Sequence, residues 1–211
     1  ASGYTGTITQ SASPTLTLTG FIQAGGTFNS GANAFDLNGS FVLNDGTFNA
    51  TSTTMYVLNN WTYNGGTFTA GTGTVTFDSA SLVYGSATTS FNNVTLAAAL
   101  TGHPINMNVA GDWTNNNVTF TPGTGTVTFN GTIAQVIKGT AASQTFYNVV
   151  IAKTALTALS IGGSTTALTV TNLTQTTGDF TAPITLTING SLTLSSGIFT
   201  AGAIINAAGD W

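Results

Sequence analysis

The chain has 211 residues, of which 41 % are hydrophobic and only 4 % are charged, and its net charge is −4. Two lysines without any arginine cannot neutralise a run of phosphates, so nucleic acid and anionic lipid surfaces are excluded as partners. The chain has no run of about eighteen apolar residues, the length that a membrane-spanning helix needs. The lack of cysteine excludes disulfides and thiol chemistry.

A short motif, Gly-Thr followed by an apolar residue, recurs every twenty residues near the start of the chain, at Gly6, Gly26, Gly46 and Gly66. Within each block three apolar clusters alternate with polar neighbours, which is typical of strands with one buried face. Glycine, asparagine and aspartate separate the clusters and suit tight corners. The sequence therefore predicts an all-β protein, a right-handed parallel β-solenoid with about ten three-sided coils of about 20 residues.

Aligning the blocks places aromatic residues in two columns. The first holds Phe21, Phe41, Trp61, Trp113 and Trp211, and its apolar alternation partners favour an inward orientation. If this column faced outward, Trp61 and Trp113 could serve as platforms for sugar rings. The second column is predicted to be a core stack of phenylalanines, Phe28, Phe48, Phe68, Phe120, Phe180 and Phe199.

Further along, residues 113–132 repeat the chemistry of residues 61–80 at a shift of 52 positions. Two shorter coils are predicted to open at Leu173 and Leu192, and the stretches between these blocks are interpreted as longer or looped coils. No segment has the apolar spacing of a helix. The whole chain, residues 1–211, is thus predicted to be a single domain.

Few residues could carry chemistry. His103 is the only histidine and lies in a loop-like segment, where it is interpreted as a solvated turn residue. The aspartates are widely spaced and match no calcium-binding pattern, so they are interpreted as corner residues. The sequence predicts no enzyme activity, no metal site and no cofactor.

Three repeated polar features leave alternatives open. Asn29 and Asn49 share one repeat position, which fits either an amide ladder or corner capping. Threonine pairs such as Thr74/Thr76 suggest ice binding as a possible function, but the aligned residues one and two coils earlier are not threonine pairs and interrupt a regular array. Candidate glycosylation sequons occur at Asn38, Asn49, Asn60, Asn93, Asn117, Asn130, Asn172 and Asn189.

The two ends of the repeat pattern show no capping helix or charged strand, and Trp211 occupies the first position of a new coil. Two explanations remain open. The chain is a window of a longer repeat protein, or its ends stack head to tail into a filament.

The residues 111–131, with 134–137 and 146–149, resemble the repeats of very large secreted bacterial surface proteins, which are low in charge and rich in threonine, glycine and asparagine. The resemblance implies an extracellular or cell-surface role as an adhesin stalk or filament subunit. We therefore expect a structural fibre, sheath or stalk whose partner is itself or further repeats of the same chain. The alternatives are a carbohydrate- or ice-binding module, with polysaccharide as the partner in the first case, and a β-sandwich that polymerises by strand donation.

Overall fold

The computed structural model describes residues 4–11, 15–102, 106–154 and 156–209. Within these residues there are 26 strands and no helix, and the paired strands run parallel throughout. About ten turns of about 20 residues stack into a β-solenoid with three sides, which confirms the predicted fold class.

The first side starts each full coil. It contains the first halves of β3 (Phe21–Asn29) and β5 (Phe41–Asn49), β7 (Trp61–Tyr63), β10 (Ser81–Tyr84), β13 (Leu100–Gly102), β16 (Phe120–Thr121), the first halves of β19 (Ser143–Ala152) and β21 (Ala167–Thr177), β23 (Thr185–Ile188) and β26 (Ile204–Ala207).

The second side contains the second halves of those four long strands, which bend at a corner and therefore serve two sides. Its other members are β1 (Thr7–Thr9), β8 (Thr67–Thr69), β11 (Thr89–Phe91), β14 (Met107–Val109), β17 (Thr126–Phe129) and β24 (Leu192–Leu194).

The third side is one unbroken ten-stranded ladder. Its strands are β2 (Leu16–Leu18), β4 (Phe35–Leu37), β6 (Thr54–Val57), β9 (Thr74–Phe77), β12 (Asn93–Leu96), β15 (Trp113–Asn115), β18 (Gln135–Gly139), β20 (Ala158–Ile161), β22 (Asp179–Thr181) and β25 (Phe199–Thr200).

The phenylalanine file at the start of the second side confirms the predicted stacking. Phe28 pairs with Phe48 and Phe48 with Phe68, and their ring centroids lie 5.3 and 5.8 Å apart with nearly parallel planes. Each inward ring thus covers the ring of the previous coil, and Phe48 is fully buried. Like side chains stacked in this way bury apolar area that a single coil could not bury alone.

The predicted six-residue stack is wrong beyond Phe68. Phe120 lies on the first side above Leu100, and Phe180 pairs with Phe199 on the third side. Phe120 follows Phe68 by 52 residues, which is about two and a half coils, so the two cannot share a side. Phe180 follows two longer coils as well, since the first-side strands beginning at residues 120, 143 and 167 are 23 and 24 residues apart.

The 52-residue repeat is also rotated in space. Trp61 lies on the first side, paired with Phe41 and Val83, whereas Trp113 lies on the third side, paired with Val94 and Ile137. The coils beginning at residues 81 and 100 hold an ordinary 19 and 20 residues, so the expectation of longer or looped coils there is wrong. Each side requires the same inward and outward alternation, so one motif fits any adjacent pair of sides.

A column of glycines explains the fixed interval of the Gly-Thr motif. Gly26, Gly46 and Gly66 stand above one another at the corner between the first and second sides, with φ of 65°, 86° and 77°. A Cβ atom on any of them would lie 2.5–2.6 Å from the carbonyl oxygen of the glycine one coil earlier. Only glycine combines this left-handed backbone with so close an approach.

Candidate functional site

Ionisable side chains are sparse and scattered. Among the described residues no three histidine, cysteine, aspartate or glutamate side chains come together as possible metal ligands. Lys138 and Asp112 form an ion pair on the third side, where both remain partly exposed. His103 lies outside the described residues, as do Asp210 and Trp211.

The two tryptophans proposed as sugar platforms are buried, so that hypothesis is wrong. Trp61 and Trp113 are both 0 % exposed. The Nε1 of Trp61 donates to Oγ1 of Thr89 at 3.1 Å, and the Nε1 of Trp113 donates to Oε1 of Gln144 at 3.0 Å. Their indole rings complete the core and their polar atoms are satisfied inside it.

Asparagine side chains form ladders along the coils, which favours the ladder over corner capping. The Nδ2 of Asn49 donates to Oδ1 of Asn29 at 2.7 Å, and Asn29 in turn donates to Oγ1 of Thr9 at 3.2 Å. A second ladder on the same side joins Asn172 to Asn148 at 2.8 Å. These bonds run parallel to the backbone ladder and link successive coils.

The eight candidate glycosylation sites fall into two groups. Asn49, Asn60, Asn93 and Asn172 are half-buried, and their amides are engaged in hydrogen bonds to other coils. A glycan on Nδ2 would interrupt the ladders at the first and last of these. The exposed amides, which have room for a glycan, are those of Asn38, Asn117, Asn130 and Asn189.

The most unusual group in the core is Lys153, which sequence reasoning missed. It follows β19 at a corner and is only 1 % exposed. Its Nζ donates to the carbonyl oxygens of Gly131 (3.2 Å) and Ile133 (2.7 Å) and to Oε1 of Gln135 (2.7 Å). The three ammonium protons therefore have three acceptors in the preceding coil. Nothing in the sequence around Lys153 indicated this role except the rarity of lysine.

Burial makes this lysine a source of pH dependence. Desolvation lowers the pKa of Lys153 from 10.5 to about 8, and the negative charge of Asp112 partly opposes the shift. Between these pH values the unfolded chain holds a proton that the folded chain has released. The free energy of unfolding should therefore rise as the pH increases from about 8 to 10.5, by roughly 2–3 kcal/mol.

This rise can be measured by urea unfolding at pH 7.5, 9 and 10.5. We expect Lys153→Met to remove it, because methionine fills a similar volume without a titratable group. Lys138→Met is the matched control, since the ammonium of Lys138 is partly exposed, and it should keep the pH profile of the unmodified chain. Equal profiles for the unmodified chain and Lys153→Met would contradict the assignment.

Comparison with protein-family models, curated proteins and solved structures finds no match to this chain. In the part of the chain that the structure describes, no helix has the length and hydropathy needed to cross a bilayer.

Proposed function

We propose that this protein is structural material outside the cell, a fibre, sheath or adhesin stalk. The observation that supports this most directly is the unbroken ten-stranded ladder of the third side, over which every coil hydrogen-bonds to the next. Load applied along such an axis is shared by ladder bonds and by stacked core side chains. The low content of charged residues reduces repulsion between neighbouring rods.

Continuation of the stack at the first coil would bury groups that are open there. Ile8, paired with Phe28 at the outer end of the phenylalanine file, is 51 % exposed. A cavity of about 200 Å³ opens beside it, between Phe21 and the backbone of Gly25. A further strand would cover Ile8 and fill this cavity. That strand belongs either to additional repeats of the same chain or to a second copy.

Association through this coil can be tested with two lysine substitutions. Ile8→Lys places a charge at the end of the core, whereas Leu82→Lys changes a leucine that already faces solvent in the middle of the first side, 44 % exposed. We expect sedimentation velocity to show concentration-dependent growth of the unmodified chain and of Leu82→Lys, and less growth of Ile8→Lys. Electron microscopy of the same samples should show threads. If the unmodified chain stays monomeric at every concentration, head-to-tail growth is excluded and the stalk is the remaining form of the proposed structural role.

The structural role itself is tested on the cells that make the protein. Immunogold labelling is expected on surface fibres or stalks. Label confined to the cell interior would overturn the proposal for both the filament and the stalk. The carbohydrate-binding alternative has lost its basis in aromatic platforms, because Trp61 and Trp113 are buried.

A further inference from the structure

One side of the solenoid has a surface unlike the other two. The outward positions of the second side form columns of hydroxyl and amide side chains, which we call the Thr/Asn face. Apart from Val150, every one of its members is a threonine, asparagine or serine. They are Thr7, Thr27, Thr47, Thr67; Thr9, Asn29, Asn49, Thr69; Ser90, Asn108, Thr128, Val150, Thr174, Thr193; and Thr126, Asn148, Asn172.

The columns are in register within two groups of strands, the first made of β1, β3, β5 and β8 and the second of β11, β14, β17, β19, β21 and β24; no pairing among the described residues joins β8 to β11. Thr27 pairs with Thr47, and Thr47 pairs with Thr67, while Asn29 pairs with Asn49 two residues further along the same strands. Neighbouring coils of a sheet lie about 4.8 Å apart, and residues two apart in a strand about 6.6 Å apart. Each group of strands therefore presents a two-dimensional array of polar side chains, and the buried phenylalanine file supports the first group from beneath.

Hydrogen bonds along the columns hold these side chains in fixed orientations. Asn49 is bonded to Asn29, Asn172 to Asn148, and Asn108 donates to Oγ of Ser90 at 3.1 Å. An amide has two donor hydrogens and two acceptor sites, so each keeps bonding capacity for a partner outside. A surface ordered before binding loses little conformational entropy on binding.

Most charges of the strands are on another side. Asp36, Asp112, Asp179 and Lys138 all lie on or beside the third side. Asp45 lies in β5 at the corner beside the Thr/Asn face, where its Oδ1 accepts a hydrogen bond from the backbone N–H of Gly46. The face itself contains neither a charged nor an aromatic residue, so apart from this one carboxylate at its edge it offers nothing for an ionic partner and no platform for stacking of sugar rings. The chemistry that remains fits a neutral partner with hydroxyl groups repeating in two dimensions.

We propose that the Thr/Asn face binds ice. Ice presents a regular lattice of hydrogen-bond donors and acceptors, and hydroxyl and amide groups held at regular intervals can bond to such a lattice at many points at once. A threonine also presents a methyl group beside its hydroxyl. A column of threonines can therefore order the water molecules next to it, whereas a charged side chain would bind its own hydration shell strongly. This differs from the array considered from the sequence, because Thr74 and Thr76 lie on the third side, where Tyr56 and Asp36 interrupt the file. The inference does not depend on the filament or stalk role.

The test uses a lysine at Thr47, inside the longest threonine column, which runs from Thr7 to Thr67, and a matched lysine on another side. Thr95→Lys changes a threonine that is flanked by Thr76 and Thr114 on the third side. Inhibition of ice recrystallisation and thermal hysteresis are measured on the purified chain, with circular-dichroism melting to establish that both variants fold equally well.

We expect the unmodified chain and Thr95→Lys to inhibit recrystallisation at the same concentration within about twofold. Thr47→Lys should need about tenfold more protein or fail, because an ammonium that loses its water at a contact surface without gaining a partner opposes binding. Absence of inhibition by the unmodified chain overturns the proposal, as does an equal loss in both variants. Retention on microcrystalline cellulose that is lost in Thr47→Lys, without any effect on ice, would assign the face to polysaccharide instead.

Discussion

Replacing Phe48 with alanine is expected to lower the free energy of unfolding by about 4 kcal/mol. Phe48 is fully buried, and its ring lies within 6 Å of five others, at centroid distances of 5.0–5.8 Å. The cavity left behind is enclosed by rings that are held by the coils above and below and cannot collapse into it. Urea unfolding followed by tryptophan fluorescence measures the change.

The matched control for this substitution is Phe199→Ala. Phe199 is only half-buried and has one aromatic neighbour, Phe180, at 5.7 Å. We expect it to lose about 1–2 kcal/mol, since less apolar area leaves the core and the site opens to solvent. Equal losses at the two positions would contradict the expectation that a ring enclosed by five others stabilises the core more than a half-buried ring with one aromatic neighbour.

Substituting Gly46 with alanine is expected to cost about 3 kcal/mol, although only one methyl group is added. The left-handed backbone, with φ of 86°, disfavours any residue with a Cβ by about 1–2 kcal/mol. The added carbon would also lie 2.6–2.8 Å from backbone atoms of Gly25 and Gly26, which the ladder prevents from moving away. The same urea unfolding measurement applies.

Gly20→Ala separates this steric effect from the general effect of adding a methyl group to the unfolded chain. A Cβ on Gly20 would be 3.6 Å from its nearest neighbour, the carbonyl oxygen of Ser40, which is ordinary contact. Its stability should stay within about 0.5 kcal/mol of the unmodified chain. If Gly46→Ala behaves in the same way, the glycine column is not what sets the spacing of the coils at this corner.

The fold class could be predicted because its determinants are local and repeated. Gly26, Gly46 and Gly66 fall on a twenty-residue interval, and the residues that follow them alternate inward and outward. A period without helical spacing leaves parallel coils as the arrangement that buries one face of every strand. The first three phenylalanines of the core stack followed from the same reasoning.

The later core could not be predicted in the same way. Similarity between Phe68 and Phe120, or between Trp61 and Trp113, indicates a similar strand and corner but not which side they occupy. The side depends on the summed lengths of all intervening coils, and a few additional residues in one corner rotate everything after it. Lys153 was missed for a related reason, since its acceptors lie about twenty residues earlier in a neighbouring coil.

By itself the sequence determined that this chain coils into a charge-poor β-solenoid, because alternation and corner glycines act within a few residues. Only the tertiary structure decided which residues share a side. It separated Thr74 and Thr76 from Thr126 and Thr128, and it gathered the uncharged columns around Thr47 onto one face. The reason is physical: facing inward or outward is set by each strand, whereas position around the axis accumulates along the whole chain.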